Sequence, residues 1–184
     1  MKTTGILIIL TISVTGCNGK HKTDEDFTSE RTSKTASFVV EESIDKVFPL
    51  FGAFEERKWI STWNPILIYP DEEIIEEGTT FKLDVSGHGH GSESEYLWIV
   101  TKYEPTNHLI QYLVSTENRF WTITVISNSI ENNTKTNTTV TYTYTGLNAK
   151  GNKLNKESLD KMYKNELQDW AEMINDYFLK LKKQ

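Results

Sequence analysis

Phe48-Pro-Leu-Phe-Gly-Ala-Phe-Glu-Glu-Arg-Lys-Trp-Ile-Ser-Thr-Trp-Asn-Pro65 decides how the rest of the chain can fold. Phe48, Leu50, Phe51, Phe54, Trp59, Ile60 and Trp63 crowd large apolar groups into a short span. Val47, Phe48, Phe51 and Phe54 share one helical face, as do Ile60 and Trp63. Gly52 interrupts the first turns, so the spacing predicts two short helices, over residues 44–51 and 55–63. Ser43 stands where a helix N-cap is expected. Pro65 pushes Asn64 out of the helical region and stops the second helix. Residues 66–69, Ile-Leu-Ile-Tyr, are β-branched and flanked by prolines, and read as a strand.

Working outward from there, the chain alternates. Residues 35–41 place Phe38 and Val40 on one side of a first strand. Phe81, Leu83 and Val85 alternate with Lys82 and Asp84, and Tyr96, Trp98 and Val100 do the same before Pro105. Residues 109–115 and 120–126 form further strands, the latter with Trp121, Ile123 and Val125 on one face. Residues 128–137 are polar and read as a hairpin connection. Residues 139–145, Thr-Val-Thr-Tyr-Thr-Tyr-Thr, have strict period two, which buries Val140, Tyr142 and Tyr144 and turns the threonines to water. Leu159, Met162, Tyr163, Leu167, Trp170, Ile174, Tyr177, Phe178 and Leu181 then recur at three- and four-residue steps. That stripe predicts one C-terminal helix, N-capped at Asn155, about 28 residues and about 42 Å long. It needs an apolar partner, and the concave face of an antiparallel sheet is the surface large enough.

Element order, together with the resemblance given next, leads to an expected α+β fold: a curved antiparallel sheet of about seven strands around a long C-terminal helix, with two short helices after strand one. The residues Glu56-Arg57-x-Trp59 and Trp63-Asn64-Pro65, behind a phenylalanine-rich first helix and ahead of a short strand, resemble the SRPBCC superfamily. This is the START-like, Bet v 1-like group that includes polyketide cyclase-type proteins. Thr62 and Asn64 stand where that pattern usually has Gly and Asp. The resemblance spans roughly residues 35–183. It implies a helix-grip fold whose sheet and helix enclose a cavity, and it implies fold rather than chemistry.

Twenty Lys and Arg against 26 Asp and Glu leave a net charge of −6. An acidic domain repels phosphate backbones, which argues against a nucleic-acid partner. The chain has one cysteine, so it forms no internal disulfide. That cysteine lies beyond an N-terminal positive charge at Lys2 and an apolar run from Gly5 to Val14, which is too short for a bilayer span and fits the core of a secretory signal. Val14-Thr15-Gly16-Cys17 resembles a bacterial lipobox, which implies cleavage before Cys17 and its lipidation. Residues 1–16 are then a lipoprotein signal peptide. Residues 17–34 are the lipidated cysteine and a polar tether, too poor in core formers to order themselves, that reaches on the order of 20–25 Å. Residues 35–184 are the domain. The resemblance implies a cell-envelope location, anchored to a membrane.

Candidates for chemistry are few. His88 and His90 in Gly-His-Gly-His-Gly have a metal-type spacing, but the spacing supplies no third ligand, and the pattern equally suits a solvent-facing loop. Glu55, Glu56 and Arg57 can form an acid/base or substrate clamp, or simply a solvated face or a capping interaction. Glu93 and Glu95 alternate with Tyr96 toward solvent. No paired carboxylates, Gly-x-Ser-x-Gly or phosphate loop is present, so no catalytic residue, metal or cofactor is expected. The aromatic set is the stronger signal. Trp59, Trp63, Phe81, Leu83, Trp98, Trp121, Ile123, Tyr142, Tyr144, Tyr163 and Leu167 are expected to converge between sheet and helix. Any one of them can be plain core. Together they suit an apolar pocket with a few polar tips.

Three functions follow from this reading. The first is a membrane-tethered binding module for a hydrophobic small molecule or lipid. The second is a polyketide cyclase/dehydratase-like enzyme using His or Tyr tips. The third is an envelope interaction protein without a ligand.

Overall fold

The computed structural model describes residues 27–83 and 96–183. Cys17, the expected signal peptide, most of the expected tether, and His88 and His90 lie outside the described residues. Seven antiparallel strands form one sheet in the order β1-β7-β6-β5-β4-β3-β2. They are β1 (Arg31–Val40), β2 (Pro65–Tyr69), β3 (Thr80–Leu83), β4 (Leu97–Glu104), β5 (Leu109–Ser115), β6 (Arg119–Ile130) and β7 (Lys135–Gly146). The short helix α1 (Ile44–Val47) runs into a 3-10 turn over Phe48–Phe51, and a second 3-10 turn follows over Glu56–Lys58. The expected pair of short helices is thus present in tighter, shorter form, broken at Gly52, which is extended. Ser43 precedes α1 with no side-chain cap; its carbonyl accepts from Lys46 N and Val47 N at 3.1 Å.

β1 begins at Arg31, four residues ahead of the expected start at residue 35, so the end of the expected tether is sheet. Cross-strand hydroxyls account for this. Ser33 meets Thr143 at 2.9 Å, and Thr35–Thr141 and Ser37–Thr139 meet at 2.8 Å. Lys34 adds an ion pair to Asp160 at 2.9 Å. Such pairs give an otherwise polar strand a partner-specific register. The threonine face of β7 thus meets β1, while Val140, Tyr142 and Tyr144 point into the core.

The expected polar connection over 128–137 is mostly strand. β6 and β7 pair down to Ile130↔Lys135. The turn is tight because Glu131, Asn132 and Asn133 all adopt positive φ, which Asn tolerates better than most residues. Asn133 then ties the turn to α1: its Oδ1 accepts from Ile44 N at 3.2 Å.

The C-terminal helix is present, with one break. α2 (Ala149–Met162) is followed by α3 (Gln168–Leu181). The N-cap is Asn148, whose side chain accepts from Gly151 N at 2.9 Å; Asn155, the expected cap, is buried inside α2. Glu166 and Leu167 between the helices have φ of 54° and 61°. The apolar stripe stays in phase across this joint, so periodicity alone shows no break. α2 lies on β7 and α3 on β1. Gly151 lets α2 approach the sheet, because a Cβ there would lie 2.0 Å from the Asn118 carbonyl oxygen. No helix among the described residues is long and apolar enough to cross a membrane.

Candidate functional site

A cavity of about 620 Å³ lies between the inner face of the sheet and the α2–α3 joint. Its floor is Trp98 on β4, Tyr112 on β5, Ile123 and Val125 on β6, and Tyr142 on β7. Alternation of the strands brings these side chains to one face. Glu56, Ile60 and Trp63 form one wall, and Met162, Leu167, Trp170 and Met173 from the helical arm form the other. Lys161, Lys164, Asn165 and Asp169 also border the cavity and are exposed, so they mark its mouth. The mouth therefore sits at the break between the two helices.

Of the residues expected to converge here, Trp63, Trp98, Ile123, Tyr142 and Leu167 line the cavity. The others pack outside the lining. Trp59 lies behind the wall, edge-on to Trp170 at 5.4 Å, and donates Nε1–H to the Leu50 carbonyl at 2.9 Å. Phe81 stacks on Trp98 from β3 at 5.6 Å, with Leu83 buried beside it on the same strand. Trp121 and Tyr144 stack at 5.0 Å, with the fully buried Arg119 guanidinium 5.1 and 5.3 Å from their rings. Arg119 also donates to Ser158 Oγ at 2.8 Å, so this cluster fixes α2 to the sheet. Tyr163 puts its hydroxyl against the β7 backbone.

The polar tips are distributed differently from the expectation that Trp and Tyr would offer them to a ligand. Trp63 donates Nε1–H to the Ala53 carbonyl, and Tyr112 donates its hydroxyl to the Phe51 carbonyl at 2.7 Å. These bonds satisfy backbone oxygens in the segment around Gly52 and hold that segment against the sheet. Two buried oxygen-bearing side chains of the lining are not engaged in this way. The Glu56 carboxyl and the Tyr142 hydroxyl line the cavity, are more than nine-tenths buried, and form no side-chain hydrogen bond with the described residues.

Glu56 is the functional candidate that the sequence grouped with its solvated neighbours. The structure separates the three. Glu55 pairs with Lys58, and Arg57 pairs with Glu73 at 2.9 Å over the Phe54 ring. Glu56 alone turns inward. A signal was available: Glu56, Trp59, Ile60 and Trp63 occupy positions i, i+3, i+4 and i+7, one face of a helix. The Ile60 N–H to Glu56 carbonyl bond at 2.8 Å keeps that spacing. Burial holds the Glu56 carboxyl neutral well above its ordinary pKa of 4.5. Burial also pushes the Tyr142 phenol well up, reinforced by Tyr144 and by the nearby Glu56. Both groups are thus proton-bearing donors in an apolar space. Among the described residues no group of His, Cys, Asp and Glu is arranged to hold a metal.

No protein-family model matches the chain, and no curated protein is similar to it in sequence. Solved structures do match. Norcoclaurine synthase from Thalictrum flavum, in complex with dopamine and hydroxybenzaldehyde, superposes with a TM-score of 0.60 at 10% identity, covering 96% of this chain and 98% of that one. Ara h 8.0201 gives 0.58 at 13% identity over 82% and 99% of the two chains. An uncharacterised Rhizobium leguminosarum protein gives 0.52 at 13% identity over 83% and 97%. At such identities the likeness is one of architecture: the chain has the Bet v 1-like helix-grip fold.

Proposed function

We propose that the protein binds a hydrophobic small molecule or lipid in the cavity between sheet and helical arm, while a lipid on Cys17 holds it at a bacterial membrane. The observation that carries the binding reading is the cavity itself. A space of about 620 Å³, lined by Trp63, Trp98, Tyr112, Tyr142 and Trp170, falls in the usual size range of small-ligand sites. A protein of the same fold has been solved with two aromatic compounds bound. The anchor reading rests on Val14-Thr15-Gly16-Cys17 behind an apolar run.

Native mass spectrometry of the full chain, purified from its host envelope in mild detergent, tests both parts. The expected result is an acylated Cys17 and one retained apolar molecule per chain. A bare polypeptide mass on both counts contradicts the proposal. A polyketide cyclase-like activity is the second reading. The inward-facing Glu56 favours it, because a neutral carboxylic acid in an apolar site can donate a proton or a hydrogen bond.

A further inference from the structure

Away from the charged mouth, the buried oxygen-bearing side chains of the lining are Glu56, Tyr112 and Tyr142, and of these Tyr112 alone is satisfied by a backbone carbonyl. Glu56 and Tyr142 come from different parts of the fold, the 3-10 turn after Gly52 and the centre of β7, and they line one cavity. A carboxylic acid and a phenol each carry one O–H donor. Left without an acceptor in a low-dielectric space, such donors are costly. A ligand that supplies an acceptor oxygen removes that cost.

We infer that the Glu56 carboxyl and the Tyr142 hydroxyl together seat one acceptor oxygen of the ligand, so the ligand class is a flat apolar compound with a buried ketone or phenol oxygen. The inference rests on the cavity-binding reading above and narrows it. The apolar frame packs among Trp63, Trp98 and Tyr112, with its oxygen turned to Glu56 and Tyr142. Two donors converging on one oxygen also polarise a carbonyl. A protonated acid beside a tyrosine acts in this way wherever an apolar site must stabilise charge on oxygen. An ammonium ligand fits less well, since it would require Glu56 to ionise among apolar walls.

The test uses three compounds of one shape: fluorene, 9-fluorenone and 9-aminofluorene, titrated by quenching of tryptophan fluorescence. The purified full chain binds fluorenone, and Glu56→Leu or Tyr142→Phe weakens that binding about tenfold, the loss of one buried hydrogen bond. Fluorene binding stays within about twofold in the same variants, because no donor contacts it. Glu56→Gln retains an N–H donor and most of the fluorenone affinity. Should Glu56→Leu fail to fold, Tyr142→Phe carries the comparison. Equal effects on fluorene and fluorenone overturn the two-donor seat and leave the cavity reading standing. Tighter binding of 9-aminofluorene than of fluorenone also overturns it, in favour of a cation site. Failure of all three to bind the wild-type chain overturns the cavity reading and this inference with it.

Discussion

The hydroxyl of Tyr163, in the joint between α2 and α3, sits on the backbone of β7 at Tyr142. It accepts the Tyr142 N–H at 3.2 Å and donates to the Val140 carbonyl at 3.2 Å, with the two tyrosine rings nearly perpendicular and their centres 6.1 Å apart. The helical arm is thereby pinned to the sheet at the residue that floors the cavity.

Replacing Tyr163 by Phe removes both bonds and keeps the ring. The expected loss is about 1–2 kcal/mol in urea unfolding, with faster hydrogen exchange confined to the joint. Burial pushes the Tyr163 hydroxyl up from 10 to about 12. Its contribution is therefore fully present below pH 10 and is lost as pH rises toward 12. The variant should lose stability less steeply over that window, although Tyr112 and Tyr142, raised in the same sense, still titrate. An identical alkaline profile in both proteins would contradict the assignment.

Glu56 gives a pH signature of its own. Its folded pKa is raised above the unfolded 4.5, so the folded chain binds more protons than the unfolded chain over the interval between them. Stability is unpenalised below about pH 4.5, falls as pH rises through the folded pKa, and levels off above it. Each unit of separation contributes about 1.4 kcal/mol. Glu56→Gln removes the effect, so the variant should gain on the wild type as pH rises from 4 to 8. A constant difference between the two melting curves would mean that the carboxyl is ionised in the folded state.

Gly151→Ala tests the close approach of α2 to the sheet. Alanine is normally the better helix former by about 1 kcal/mol. Here a Cβ would meet the Asn118 carbonyl oxygen at 2.0 Å. Destabilisation by about 3 kcal/mol or more is expected, read as a drop in melting temperature. A stabilised variant would place α2 further from β6 and β7.

Cys17→Ser tests the anchor. Two or three acyl chains, at about 0.8 kcal/mol per buried methylene, hold a protein stably on a membrane. The variant should appear in the soluble fraction or persist as an uncleaved precursor. Equal fractionation of both proteins, with no lipid mass on the wild type, contradicts the lipoprotein reading.

The sheet was legible in the sequence because alternation is a local property. β5 occupies the expected residues 109–115, and β7 buries the expected Val140, Tyr142 and Tyr144. The helical break was not legible. Leu159, Met162, Tyr163 and Leu167 stay in phase with α3, and what turns the chain is a tertiary bond from Tyr163 together with left-handed backbone at Glu166 and Leu167. β1 was legible only from residue 35, because residues 31–34 are held by partners on β7 and α2 that are far away in the chain. The lining was legible by type rather than by position. Trp121 and Tyr144 have the same pattern as Trp98 and Tyr142, yet they stack behind Tyr142 against the buried Arg119 and do not line the cavity. Glu56 was hidden by its charged neighbours Glu55 and Arg57, although its spacing to Trp59, Ile60 and Trp63 placed it on the buried face.

The proposed apolar binding site above Tyr142 is tested by titrating wild-type and Tyr142→Trp proteins with 1-aminoanthracene. Tyr142 is almost wholly buried on the cavity floor, so the larger indole fills the space at an overpacking cost of about 1–3 kcal/mol. Saturable one-to-one uptake by the wild type is expected, and none by a folded Tyr142→Trp variant. A wild type that takes up no dye, or a variant that takes it up equally well, would contradict the proposal.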